Sequence, residues 1–227
     1  MISQPKHIVQ SYDEELAEVR RQVANMGELV AGQLEKLMEA VARQDSAIAY
    51  GITKRESWVN QLEVEADTRI FVLLAKRCPV AGDLRLVMAA SKVVTHLERA
   101  GDEVAKAANV LLEQFQCESG SIPGASRDTI LEIGRRTHGV LQDAVGAFAR
   151  FDFVGARRLV ASRGVYRCDL ELSMRRLMET VESAPKPLND AVNLILILKV
   201  LDRLNDLAVE IAKDVIFLDE EEVAGGG

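Results

Sequence analysis

The sequence predicts an all-α fold of six long helices, arranged as two tandem, pseudo-symmetric three-helix bundles. Three observations carry this. Apolar residues recur at spacings of three and four over stretches of about 30 residues, the period of a helix with one buried face. Only 4% of the 227 residues are aromatic while 48% are hydrophobic, so the core is drawn from Ala, Leu and Val rather than from strand formers. The chain also repeats itself. Residues 38–49 (MEAVARQDSAIA) resemble residues 145–156 (VGAFARFDFVGA), with Asp45 opposite Asp152 at an offset of 107. Glu63 falls opposite Asp169 at an offset of 106, and Glu98 and Asp102 fall opposite Asp202 and Asp206 at 104.

The elements follow in order. Ser11-Tyr12-Asp13-Glu14 has the form of a capping box opening the first helix. Its apolar stripe is Leu16, Val19, Val23, Met26, Val30, Leu34, Leu37 and Val41. Asp45 is a good N-cap for a second helix that reaches Cys78, where Pro79 ends it. A third helix spans residues 80–117 on Leu84, Val87, Val94, Leu97, Val104 and Leu111. Residues 118–124 combine turn formers with a loss of periodicity, so they read as a linker between a first repeat (1–117) and a second (125–227). A fourth helix runs to Arg150, a fifth from Asp152 to Ser183, and a sixth, after Pro185 and Pro187, to Leu218. Helices of this length are about 45 Å long, and short turns make successive ones antiparallel neighbours.

Several classes are excluded or disfavoured. A net charge of −7 and a pI near 5.2 argue against a nucleic-acid binder, which would show a basic face. Cys78, Cys117 and Cys168 are too few and too scattered for a disulfide framework or a zinc site, and read as reduced thiols buried in helices. Residues 1–10 are polar and the apolar run 194–198 is too short to span a bilayer, so the expectation is a soluble, cytoplasmic protein. None of His7, His96 and His138 lies three residues after a Glu, and no phosphate-binding loop or nucleophile elbow occurs, so no enzyme is expected. Trp58 reads as a packing residue, and the Arg pairs at 20–21, 135–136, 157–158 and 175–176 as solvated helix faces.

Two acidic motifs stand out, Glu98-Arg99-Ala100-Gly101-Asp102 and Asp202-Arg203-Leu204-Asn205-Asp206. Each sets two carboxylates at i and i+4 on one helix face, away from the apolar stripe. Glu63 and Asp67 form a third such pair, and antiparallel packing of the second and third helices would bring four carboxylates together. In the second half Ser173 stands where Asp67 would be matched. Like charges at i and i+4 cost a helix roughly 0.2–0.5 kcal/mol per pair. Two readings stand: a solvated acidic face, or a carboxylate cluster for hard or borderline cations such as Mg²⁺, Mn²⁺ or iron.

These motifs, with Glu63-Val64-Glu65-Ala66-Asp67 and Pro79-Val80-Ala81-Gly82-Asp83-Leu84-Arg85, resemble the PhoU family of phosphate-transport accessory and regulatory proteins over nearly the whole chain. The resemblance implies two three-helix bundles and a homodimer. It implies metal clusters (Fe, Zn, Mn or Mg) on Glu63, Asp67, Glu98 and Asp102 in the first half, and on Asp169, Asp202 and Asp206 in the second. It also implies negative regulation of the phosphate-starvation response. The partners would be a sensor histidine kinase and the ATPase subunit of a phosphate ABC transporter, with the membrane reached only through them. Lys106 and Glu210 stand where the family often has Asn, so Lys106 is a rival to a metal at the first site. Asp83 and Arg85 read either as docking residues or as capping and ion pairing at the turn. The alternative function is a metal-free helical adaptor that modulates phosphate transport alone.

Overall fold

The computed structural model describes residues 6–117, 120–183 and 188–219. The proposed break at 184–187, the first two linker residues and the acidic tail beyond 219 lie outside the described residues. Among the described residues every regular element is a helix: α1 (Lys6–Arg43), α2 (Ser46–Thr53), α3 (Glu56–Arg77), α4 (Ala81–Gln116), α5 (Gly124–Arg150), α6 (Phe153–Ser183) and α7 (Leu188–Ile216). The all-α, two-bundle architecture is therefore as the sequence indicated, with one refinement. The second of the six long helices is interrupted, so α2 and α3 together fill its place.

The interruption has a local cause. The Thr53 hydroxyl donates to the Tyr50 carbonyl at 2.9 Å, and the Arg55 N–H returns to Ile52 three residues back. Both bonds tighten the helix out of its i→i−4 ladder. The Arg55 carbonyl accepts from the Trp58 N–H at 3.1 Å and from the buried Gln33 amide at 3.3 Å. The start of α1 also differs from expectation. The helix begins at Lys6, so Ser11 lies inside it and is no cap. The Ser11 hydroxyl accepts from Arg77 at 3.1 Å, and the same guanidinium grips Glu15 through two bonds of 2.8 and 2.9 Å. This ties the start of α1 to the end of α3, which closes on Cys78 in the left-handed conformation just before Pro79.

The sequence repeat is a structural repeat. Gln44 and Phe151, 107 residues apart, both turn through positive φ (53° and 56°). The next residues, Asp45 and Asp152, send their N–H groups back to Ala40 and Ala147 at 3.1 and 3.0 Å. Their carboxylates then accept from the first turn of the following helix, at the N–H of Ala47 and of Gly155, both at 2.8 Å. The register continues inward: Ala49 and Ala156 are both fully buried.

The two halves share one core. α1, α4, α5 and α7 make the central four-helix layer, with α1 against α5 and α4 against α7, while α2–α3 and α6 flank it. Both central pairs run antiparallel about the same pseudo-two-fold. A Cβ at Gly27 of α1 would fall 2.5 Å from Val145 of α5, and one at Gly134 of α5 would collide with Met38 of α1. Gly27 and Gly134 are 107 apart, as are Met38 and Val145, so the same interlock is used twice. Along α4 and α7, Lys92 meets Asp214, Glu103 meets Arg203, and Gln114 meets Asn193.

Three smaller expectations are corrected. Cys78 and Cys168 are exposed and Cys117 is half-buried; none is in a disulfide. They lie on outer faces or at helix ends, where the apolar stripes do not need them. Trp58 is 53% exposed, its ring covered on one face by Arg55 at 5.5 Å, because the core position is its neighbour Val59. Asp83 sits in the first turn of α4 but does not cap it, since the N-cap position falls on Val80.

Candidate functional site

The first acidic site is made by a close helix approach. Gly101 of α4 faces Val59 of α3, and a Cβ there would lie 2.9 Å from Val59 Cγ1. The stripes behind, Val59, Ala66 and Ile70 on α3 with Val93, Leu97 and Val104 on α4, are buried. This packing sets Glu63 of α3 beside Glu98 and Asp102 of α4, with Asp67 one turn further along α3. Glu63, Glu98 and Asp102 are half-buried, and Asp67 is exposed. None of the four makes a hydrogen bond or ion pair among the described residues. Lys106, the rival to a metal here, is engaged elsewhere: its ammonium binds Glu103 at 3.0 Å.

The charges press on one another. Burial pushes the Glu63 carboxyl above the ordinary carboxylate range, and Asp67 and Asp102 push it further. Burial, then Asp102 and Glu63, raise Glu98, against a smaller opposing pull from Arg99 and Lys106. Among the described residues, no three acidic, His or Cys side chains enclose a point at metal-ligand spacing as they stand. The set is nonetheless chemically suited to a cation: oxygen donors only, partly desolvated, on two packed helices, with no basic side chain bound to them.

The second half is built differently. Asp206 of α7 accepts from Arg163 of α6 at both Nε (3.0 Å) and Nη2 (2.8 Å). Asp169 faces α5, where it pairs with Arg136, and does not join Asp202 and Asp206. Ser173 turns inward on its own helix, its hydroxyl donating to the Asp169 carbonyl at 2.9 Å. Burial, then Asp206, raise the Asp202 carboxyl, while Lys199, Arg167 and Arg163 draw it back. Beneath them the buried Tyr166 hydroxyl shares a 2.6 Å hydrogen bond with Thr137 and is pushed up to about 12, chiefly by burial.

The reason is one residue of register. Asp45/Asp152, Ala49/Ala156, Ile52/Leu159 and Val59/Tyr166 all pair at an offset of 107, and all but the capping aspartates are buried. At that offset Glu63 corresponds to Leu170, which is buried, and Asp169 corresponds to Leu62. The sequence match of Glu63 with Asp169 at 106 is thus displaced by about 100° around the helix. Arg163 and Arg136 were not singled out from the sequence for this role. A usable signal existed for the first: Arg163 stands 107 residues after Glu56, a reversal of charge.

Between the two sites, the largely buried Glu103 of α4 holds Lys106 at 3.0 Å and Arg203 of α7 at 3.3 Å. A groove between α4 and α7 passes over this basic ridge and reaches Asp202 and Asp206.

The chain is 33% identical to the PhoU homolog of the phosphate-specific transport system from Pseudomonas aeruginosa, over 93% of this chain and 86% of the relative. The chain belongs to the PhoU family. The PhoU domain itself matches residues 23–111, which include the whole first acidic site. The Escherichia coli K12 accessory protein PhoU is 30% identical over the same shares of both chains. The crystal structure of PhoU from P. aeruginosa superposes with a TM-score of 0.85 at 32% identity, covering 91% of this chain and 98% of that one. A PhoU from Streptococcus pneumoniae shares the fold at 21% identity, with a TM-score of 0.83. Among the described residues of this PhoU chain, no helix is long and apolar enough to cross a membrane.

Proposed function

We propose that this PhoU protein is a cytoplasmic, non-enzymatic, homodimeric negative regulator of the phosphate-starvation response. It couples a phosphate ABC transporter, through its ATPase subunit, to a sensor histidine kinase. The observation that carries the reading is the family match across 93% of the chain to accessory proteins of phosphate-specific transport. The site supports a cation-dependent form of it. Glu63, Asp67, Glu98 and Asp102 would hold Mg²⁺, Mn²⁺, iron or zinc, and a bound cation would cancel repulsion that the fold otherwise leaves uncompensated. Nothing in this site suits the phosphate anion itself, which four carboxylates repel.

The test is alkaline phosphatase activity in phosphate-replete cells lacking the gene. High activity that wild-type protein restores to low supports repression. Failure of Glu98→Ala/Asp102→Ala to restore it, with helicity intact by circular dichroism, assigns the acidic site to signalling. Low activity in the deletion strain sinks the repressor reading and leaves an accessory role in transport.

A further inference from the structure

We infer that the second acidic motif is not a cation site in this protein but an internal clasp. Arg163 binds Asp206 across α6 and α7, Arg136 binds Asp169 across α5 and α6, and cation binding is left to the first half alone. The geometry is specific. Two nitrogens of the Arg163 guanidinium, at 2.8 and 3.0 Å, meet Asp206 Oδ1, which supplies the positive charge a metal would bring and takes up one of the two carboxylate oxygens. Asp169 has been rotated away by the register of α6, and buried Leu170 fills the place of Glu63. Asp202 then has Asp206 as its one carboxylate neighbour along α7, flanked by Lys199, Arg167 and Arg163. Two carboxylates, one bound to arginine and the other flanked by three basic side chains, make a poor site for a hard cation, which wants several oxygen ligands.

The clasp also has a position in the fold. α6 flanks the central layer and, among the described residues, packs chiefly against α5 and α7 there. Arg163–Asp206 and Arg136–Asp169 reach one to each. The duplicated scaffold thus carries one cation-responsive flank, α3 against α4, and one fixed flank, α6 against α5 and α7. Because the cation assignment to the first half rests on the proposed function, the experiment separates the two claims.

The probe is Mn²⁺, titrated by calorimetry into chelator-treated full-length protein, with urea unfolding at low salt as the second readout. Glu98→Gln/Asp102→Asn lowers Mn²⁺ affinity at least tenfold, and Asp202→Asn/Asp206→Asn leaves affinity and stoichiometry unchanged. Stoichiometry that drops in the second variant overturns the inference. In urea, Arg163→Ala and Asp206→Asn each lower the midpoint, and combining them lowers it no further than the worse single change. Additive losses, or no loss, overturn the clasp. Wild-type protein that binds no Mn²⁺ removes the cation assignment at the first half, and the urea cycle still decides the clasp.

Discussion

Glu63→Gln should stabilise the metal-free protein. The Glu63 carboxylate sits half-buried with three like-charged groups around it, Asp67 on its own helix and Glu98 and Asp102 across the α3–α4 contact. At roughly 0.2–0.5 kcal/mol for each like-charge neighbour, removing this one charge should raise stability by about 0.5–1.5 kcal/mol. Gln keeps the shape and needs less desolvation. The assay is urea unfolding at pH 7.5, low salt and with chelator. Three controls follow from the same physics. In 1 M salt the screening length falls to about 3 Å and the gain shrinks. The folded-state pKa of Glu63 is raised above 4.5, so its repulsive cost is absent below the unfolded pKa and appears as pH rises through the folded one. Wild type and variant therefore converge as pH falls toward 4.5. With saturating Mn²⁺ the order reverses, because the wild type gains ligand-linked stability that the variant lacks. A variant no more stable than wild type at pH 7.5 without metal refutes the picture of an uncompensated site.

Other perturbations probe the scaffold. Gly101→Ala places a methyl against Val59 and must part α3 from α4. The overpacking costs roughly 1–3 kcal/mol, about 1 of which helix propensity returns, and Mn²⁺ affinity measured by calorimetry falls although no carboxylate is touched. Gly27→Ala meets the stiff, β-branched Val145 and should lower stability by about 1–2 kcal/mol in urea, whereas Gly134→Ala meets the flexible Met38 thioether and should change it by less than about 1. Trp58→Ala should alter stability by no more than about 0.5 kcal/mol, since the ring is largely exposed, so any loss of repression in the alkaline phosphatase assay marks it as a contact surface.

Long-range architecture was legible because it is written in periodicity. The stripe from Val19 to Val41, the caps at Asp45 and Asp152, and the buried face of Leu97, Val104 and Leu111 are all found where spacing put them. The break at Lys54 and Arg55 was not legible, because it depends on a hydroxyl–carbonyl bond from Thr53 and on Gln33, 22 residues away. The true start of α1 was masked by a local cap signal that loses to Arg77, a partner 66 residues distant from Ser11. At the site, the pairing of α3 with α4 could be anticipated from a short turn. The charge state of the second half could not, because a one-residue slip on an exposed helix face leaves the apolar pattern almost unchanged.

That slip shows how duplicated scaffolds diverge. The left-handed residues before Asp45 and Asp152, and the Gly27/Val145 and Gly134/Met38 interlocks, are set by backbone geometry and close helix approach, and the packing cost of a change is greatest where the facing side chain is stiff, as at Gly27. The carboxylates are held by no such constraint. Exposed charges are worth little to stability one at a time, so an arginine can neutralise the acidic motif in one copy at small energetic cost. Once Arg163 neutralises Asp206, nothing in the fold demands a ligand there, and Leu170 adds apolar burial where a carboxylate would add repulsion. In the first copy the opposite choice was kept: three partly buried acids that destabilise the fold in isolation. A cost retained on one side of a pseudo-symmetric molecule and removed on the other is the pattern expected when one side must respond to something outside the chain.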